Sequence, residues 1–138
     1  NFNGNAEEAF EFYRSVFGTE FDEPGFMRMD QGPSVPGRPP LSAEDRGKVM
    51  HVSLPLLGGH RLMGSDATES MGYKVRPGNN LYIMLQPDTR GEADRLFSAL
   101  SAGGSVEMPM SEMFWGDYFG SFTDRFGVYW MINTPSRN

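Results

Sequence analysis

Apolar side chains return at helical intervals twice in this 138-residue chain. In the first run Ala6, Ala9, Phe10, Tyr13 and Phe17 share one helix face, and Gly18 ends it. Asn5 is placed to cap that helix, with Glu8 three residues on as the other half of a capping box. The second run, Ala93, Leu96, Phe97 and Leu100, is capped by Thr89, boxed by Glu92 and stopped by Gly103 and Gly104. Behind each helix the pattern changes to three short β-type segments. They are residues 19–29, 48–56 and 60–65 in the first half, and 105–110, 115–123 and 128–133 in the second. Gly58-Gly59 and Asp124-Arg125-Phe126-Gly127 supply the turns.

The two caps lie 84 residues apart (89 − 5 = 84), and a Glu-Ala pair follows each at one offset, Glu8-Ala9 and Glu92-Ala93. Internal duplication is therefore the organising hypothesis: an α+β domain, residues 1–138, of two pseudo-repeated βαβββ modules. Module one is residues 1–66, the linker 67–79, and module two 80–134. A strand over 80–86 leads into the second helix, and its counterpart would begin before residue 1. The first strand is thus expected to be truncated, with only Asn1-Phe2-Asn3 left of it. Residues 30–47, rich in Pro and Gly, form either a lid over a site or a mobile excursion. Arg76-Pro77-Gly78 is a turn signal within the linker.

Composition narrows the partners. The formal net charge is −6, and no stretch collects the basic side chains that counterion release from nucleic acid requires. The absence of cysteine removes disulfides, thiolate nucleophiles and cysteine metal sites. No apolar run approaches the ~18 residues of a membrane span, and no signal-peptide pattern opens the chain, so a cytoplasmic location is expected. Eleven Phe and ten Met offer large rings and flexible sulfur for an adaptable core or a permissive pocket. A small molecule or a second copy of the chain is the expected partner.

Several segments carry a resemblance. They are Asn3-Gly4-Asn5-Ala6-Glu7-Glu8-Ala9, Val49-Met50-His51, Leu62-Met63-Gly64-Ser65-Asp66 and Phe114-Trp115-Gly116-Asp117, together with the run from Asp124 through Asn133. The chain resembles the vicinal oxygen chelate superfamily of glyoxalase I, extradiol dioxygenases and bleomycin-resistance proteins. It looks closest to the PhnB-like branch, whose members are also labelled 3-demethylubiquinone methyltransferase-like. The resemblance implies a homodimer with curved mixed sheets around a ligand cavity, and it does not imply one chemistry. Metal-dependent members take ligands from the outer strands of each module. Aligned on the flanking segments, those positions fall on Met63, on Met131 and near Tyr82. Thioethers are poor ligands for hard divalent cations, so no metal and no cofactor are expected. Nor is there a Rossmann fingerprint, a phosphate loop, a nucleophile elbow or an S-adenosylmethionine-binding unit.

Alternation along the strands selects the candidate site. If Met50, Val52 and Leu54 pack under the first helix, His51 and Ser53 face a ligand. His51 is then either a general base near neutral pH or a hydrogen-bonded wall residue. Arg61, Met63, Tyr82, Met84, Tyr129 and Met131 extend the expected lining. Trp115, Tyr118 and Phe119 either stack a ligand or seal a dimer interface. Glu112, beside Phe114-Trp115, is the second candidate acid or base. Three functions fit these residues. One is a metal-free small-molecule-binding protein, and another an isomerase, lyase or hydrolase using His51 or Glu112. The third is a structural or regulatory dimer with a vestigial pocket.

Overall fold

The computed structural model describes residues 1–135 and divides into two compact units, Asn1–Arg76 and the residues from Pro77 on. In the first unit α1 (Ala6–Phe17) is followed by β1 (Met27–Arg28), a one-turn helix α2 (Ala43–Arg46), β2 (Val49–Pro55) and β3 (Arg61–Gly64). In the second, β4 (Ile83–Leu85) leads into α3 (Arg90–Ser101), β5 (Ser105–Glu112), β6 (Tyr118–Thr123) and β7 (Tyr129–Thr134). Both long helices have 12 residues and begin 84 positions apart (90 − 6 = 84).

The sheets repeat the same plan. The first runs β1-β2-β3, all antiparallel, and just beyond β3 Asp66 pairs in parallel with Phe2. The second runs β5-β6-β7-β4, antiparallel except for the parallel pair β7-β4. Phe2 therefore stands where β4 stands in the second unit. Among the described residues no helix is long and apolar enough to cross a membrane.

Each helix buries its apolar stripe on its own sheet. In the first unit Ala9, Phe10 and Tyr13 join Val49, Val52 and Leu54, none of them more than 1% exposed. The approach is so close that a Cβ on Gly64 would lie 2.3 Å from the Phe10 ring. In the second unit Ala93, Leu96 and Leu100 pack with Phe122, Trp130 and Ile132, all fully buried. There Gly120 leaves room for Phe97, whose ring meets Phe122 edge-on at 5.0 Å.

Several local expectations are corrected. Asn5 precedes α1 but makes no side-chain cap. The cap comes from Asp66, far along the chain: its Oδ1 accepts from the Gly4 and Ala6 amides, both at 3.0 Å. Thr89 does cap α3, accepting from the Glu92 amide at 3.2 Å, but the Glu92 carboxylate pairs with Arg95 instead of returning to the cap. The strand expected over 19–29 shrinks to Met27–Arg28. Pro24 has no N–H to give a ladder and Gly25 turns left-handed at φ 85°. The strand expected over 80–86 pairs only through Ile83–Leu85, and Leu81 is 81% exposed. The expected start of β6 at Trp115 moves to Tyr118, because Gly116 (φ 100°) closes a hairpin in which its amide donates to the Met113 carbonyl. β5 runs on to Glu112.

Candidate functional site

The first unit carries a cleft of 1050 Å³. One wall is the loop expected to be either a lid or a mobile excursion, here seated against the sheet. Gly32 permits the contact, since a Cβ there would come within 2.8 Å of Met50 Sδ. The opposite wall is the chain from Ser65 to Val75, and Met29, Met50 and Met71 contribute apolar surface between them.

The two walls are tied to each other. Asp45 in α2 is 2% exposed, receives the Ser70 hydroxyl and lies 2.7 Å from Lys48 Nζ. Lys48, then Ser70, hold this carboxyl below its ordinary value. The Asp45 amide donates in turn to Ser42 Oγ at 3.1 Å.

A bulge puts Met50 at this cleft. Met27 pairs with His51 but Arg28 pairs with Val49, so Met50 is an extra residue in β2. Strict alternation fails there: Val49, expected beside His51, is buried, whereas Met50, expected under the helix, is half-exposed. Past the bulge the expected faces are restored. Val52 and Leu54 lie fully buried, with Gly64 opposite Val52, and Ser53 sits opposite Met63.

His51, Ser53, Arg61 and Met63 do not line the cleft. Ser53 donates to Asp22 Oδ2 at 2.6 Å, and Arg61 grips the same carboxylate from Nε at 2.8 Å. Arg61 and then Ser53 keep Asp22 below the usual carboxylate range. Two expected ligand contacts are thus occupied by an aspartate that no spacing pattern singled out. Met63 is 62% exposed.

In the second unit the face away from α3 gathers part of the expected set. Met84 pairs with Met131, Met131 with Ser121, and the rings of Tyr82 and Tyr129 meet edge-on at 5.2 Å. The Tyr82 hydroxyl donates to Glu107 at 2.9 Å, which raises the phenol above its ordinary value. Ser121 Oγ also reaches Glu107, at 3.3 Å. Glu107 sits at a register shift between Val106 and Met108, an irregularity that alternation cannot foresee. Phe119 pairs with Asn133, whose amide donates to Asp117 at 3.0 Å.

Tyr118 and Glu112 lie elsewhere. Tyr118 donates to Asp94 of α3, Arg90 lies 4.9 Å from its ring, and Glu112 is 3.3 Å from Arg90. They form a charged rim at the helix, apart from the Tyr82 face. Trp115 is on the hairpin tip, 55% exposed, against Phe114 at 97%.

The donor set at the aligned metal positions consists of two thioethers, in separate units, and a phenol bonded to a carboxylate. It does not fit a hard divalent cation. Among the described residues no three of His, Asp or Glu come together as a cation site.

The repeated helix-on-sheet plan has a counterpart in known proteins. A family model of the glyoxalase/bleomycin resistance protein/dioxygenase superfamily matches residues 2–132. The chain belongs to this superfamily. Within it, the chain is 32% identical to Protein YjdN of Escherichia coli (strain K12), over 96% of this chain and 90% of that protein. The crystal structure of protein PA1353 from Pseudomonas aeruginosa superposes with a TM-score of 0.81 at 38% identity, covering 99% of this chain and 93% of that one. The PhnB protein from Bacillus cereus aligns at a TM-score of 0.66 and 28% identity, over 96% and 93% of the two chains. The matched region spans both helices of the 84-residue repeat.

Proposed function

We propose that this superfamily member is a small-molecule-binding protein that sequesters its ligand in the first-unit cleft. One observation carries the proposal: 1050 Å³ of space between two walls tied by Asp45, with methionine sulfur between them. Such a volume holds a drug-sized molecule, and methionine adapts to its outline. Sequestration is favoured over proton-transfer catalysis because neither His51 nor Glu112 lines the cleft. The exposed Phe114-Trp115 tip supports the homodimer that the family resemblance implies, a state that light scattering on purified protein measures.

A thermal-shift screen of small aromatic and carbonyl compounds tests the proposal, paired with mass spectrometry of ligand retained through purification. A ligand at a hundred times its Kd stabilises the folded state by about 2.7 kcal/mol, which is readable as a shift in Tm. Met71→Trp, which fills the cleft, should abolish that shift. A hit whose shift persists in Met71→Trp places binding elsewhere and refutes the proposal. Turnover of a hit that falls in His51→Ala would instead favour catalysis.

A further inference from the structure

The first unit contains eight Arg and Lys side chains, and their partners divide them evenly. Arg14, Arg28, Lys48 and Arg61 each lie within 4.0 Å of a carboxylate. Arg38, Arg46, Lys74 and Arg76 have no carboxylate partner among the described residues, and the first three line the cleft. In a chain of net charge −6, three unpaired cations around one apolar cavity are a specific feature. Two carboxylates also line it, Asp30 and Asp66. Asp66 directs its oxygens to the backbone amides of Gly4, Ala6 and Val49 and is 5% exposed. Asp30 is exposed. Arg38 lies 5.8 Å from the Tyr73 ring, which positions its guanidinium at the wall.

We infer that the cleft is built for an amphiphilic organic anion, with an apolar body against Met29, Met50 and Met71 and an acidic head group met by Arg38, Arg46 and Lys74. The inference rests on the cleft being the binding site and adds the chemical class of its ligand. Guanidinium suits this role because its planar fork takes the oxygens of a carboxylate, sulfonate or phosphate in pairs. The methionines supply a sulfur-lined surface that a ring or short chain can fill without exact complementarity.

Two fluorescent probes separate head group from body. 1-Anilinonaphthalene-8-sulfonate and N-phenyl-1-naphthylamine share the same rings, and only the first carries an anion. On the full chain the sulfonate should bind at least about tenfold more tightly, equal to about 1.4 kcal/mol. In the triple variant Arg38→Gln, Arg46→Gln, Lys74→Met that preference should fall below about threefold, with the neutral probe's Kd unchanged. Arg76→Gln removes an unpaired cation outside the lining and should retain the preference. Equal affinity for the two probes, or a preference that survives the triple variant, overturns the anion inference while leaving the cleft as a binding site. If neither probe binds, or Met71→Trp leaves both bound as before, the cleft itself is not the site and the inference falls with it.

Discussion

Replacing Asp66 with asparagine tests how the first unit holds its helix, its sheet and one side of the cleft in register. Asp66 Oδ1 accepts from the Gly4 and Ala6 amides, and Oδ2 accepts from Val49 at 2.9 Å. One carboxylate thus satisfies two donors at the start of α1 and one at the start of β2. Asparagine has a single acceptor oxygen. If that oxygen stays on α1, its NH2 faces the Val49 N–H and leaves a buried donor unmet, at about 1–3 kcal/mol. The two remaining bonds lose their charge assistance, and the helix N-terminus loses an anion worth a further ~0.3–1 kcal/mol. With about 1 kcal/mol of charge assistance lost from each of those two bonds, the sum is about 3–6 kcal/mol, a large part of the roughly 5–15 kcal/mol that holds a domain folded. Urea unfolding followed by circular dichroism measures it, with Asp30→Asn as an exposed control expected to stay within about 0.5 kcal/mol. Amide hydrogen exchange should show protection lost at Val49 or at Gly4 and Ala6, depending on which way the asparagine settles. A loss below about 1 kcal/mol, with protection at all three amides unchanged, would refute this assignment.

Asp124 likewise satisfies three donors in the second unit, but within the turn between β6 and β7, accepting from the Phe126 and Val128 amides and from Trp130 Nε1 at 2.9 Å. Asp124→Asn should cost about 2–4 kcal/mol and displace the Trp130 indole N–H resonance; an unmoved resonance counts against it. Asp45, held below its ordinary 3.8 by Lys48 and Ser70, contributes stability that is present above about pH 4 and lost as pH falls through its lower folded value. The Tm gap between wild type and Asp45→Asn should therefore be flat from about pH 7 to 5 and narrow in stronger acid, and a gap that widens on acidification would contradict the pairing. Tyr82, raised by its bond to Glu107, should titrate at lower pH in Glu107→Gln, as read by near-ultraviolet difference spectra with Tyr82→Phe identifying the signal. An unchanged midpoint would remove Glu107 as the cause.

The two helices, their 84-residue spacing and the order of the strands were legible because amphipathic periods survive in any packed helix-on-sheet layer. The Phe10 and Leu96 stripes are examples, buried as their spacing requires except at Phe17 and Phe97, which are half-buried. What escaped was non-local or irregular. The cap of α1 lies 60 residues from Ala6, and no local signature can announce it. Met50 and Glu107 sit at breaks in register, where period-two reasoning assigns the wrong face or none. Tyr118 and Glu112 were grouped with Trp115 by nearness in sequence, yet the strand alternates its faces and sends Tyr118 to Asp94. The cleft was illegible for a different reason. Its walls are loops without a period, so only tertiary contacts such as Ser70 to Asp45 show that they meet.

That division bears on which residues would select a ligand in the proposed cleft. The blocks that carry the family resemblance contain Gly64, Asp66, Asp124 and Trp130, and the structure uses all four to close helix onto sheet or to satisfy buried donors. They specify the scaffold. Arg38, Arg46, Met71 and Lys74 lie outside those blocks, on segments that the scaffold holds at their ends and through Asp45. If the proposal holds, exchanging their charge should alter what the cleft takes up without disturbing either core, since the three cations are exposed. On the proposed reading, the chemistry of the ligand would be set by loop composition, and family membership alone does not convey it.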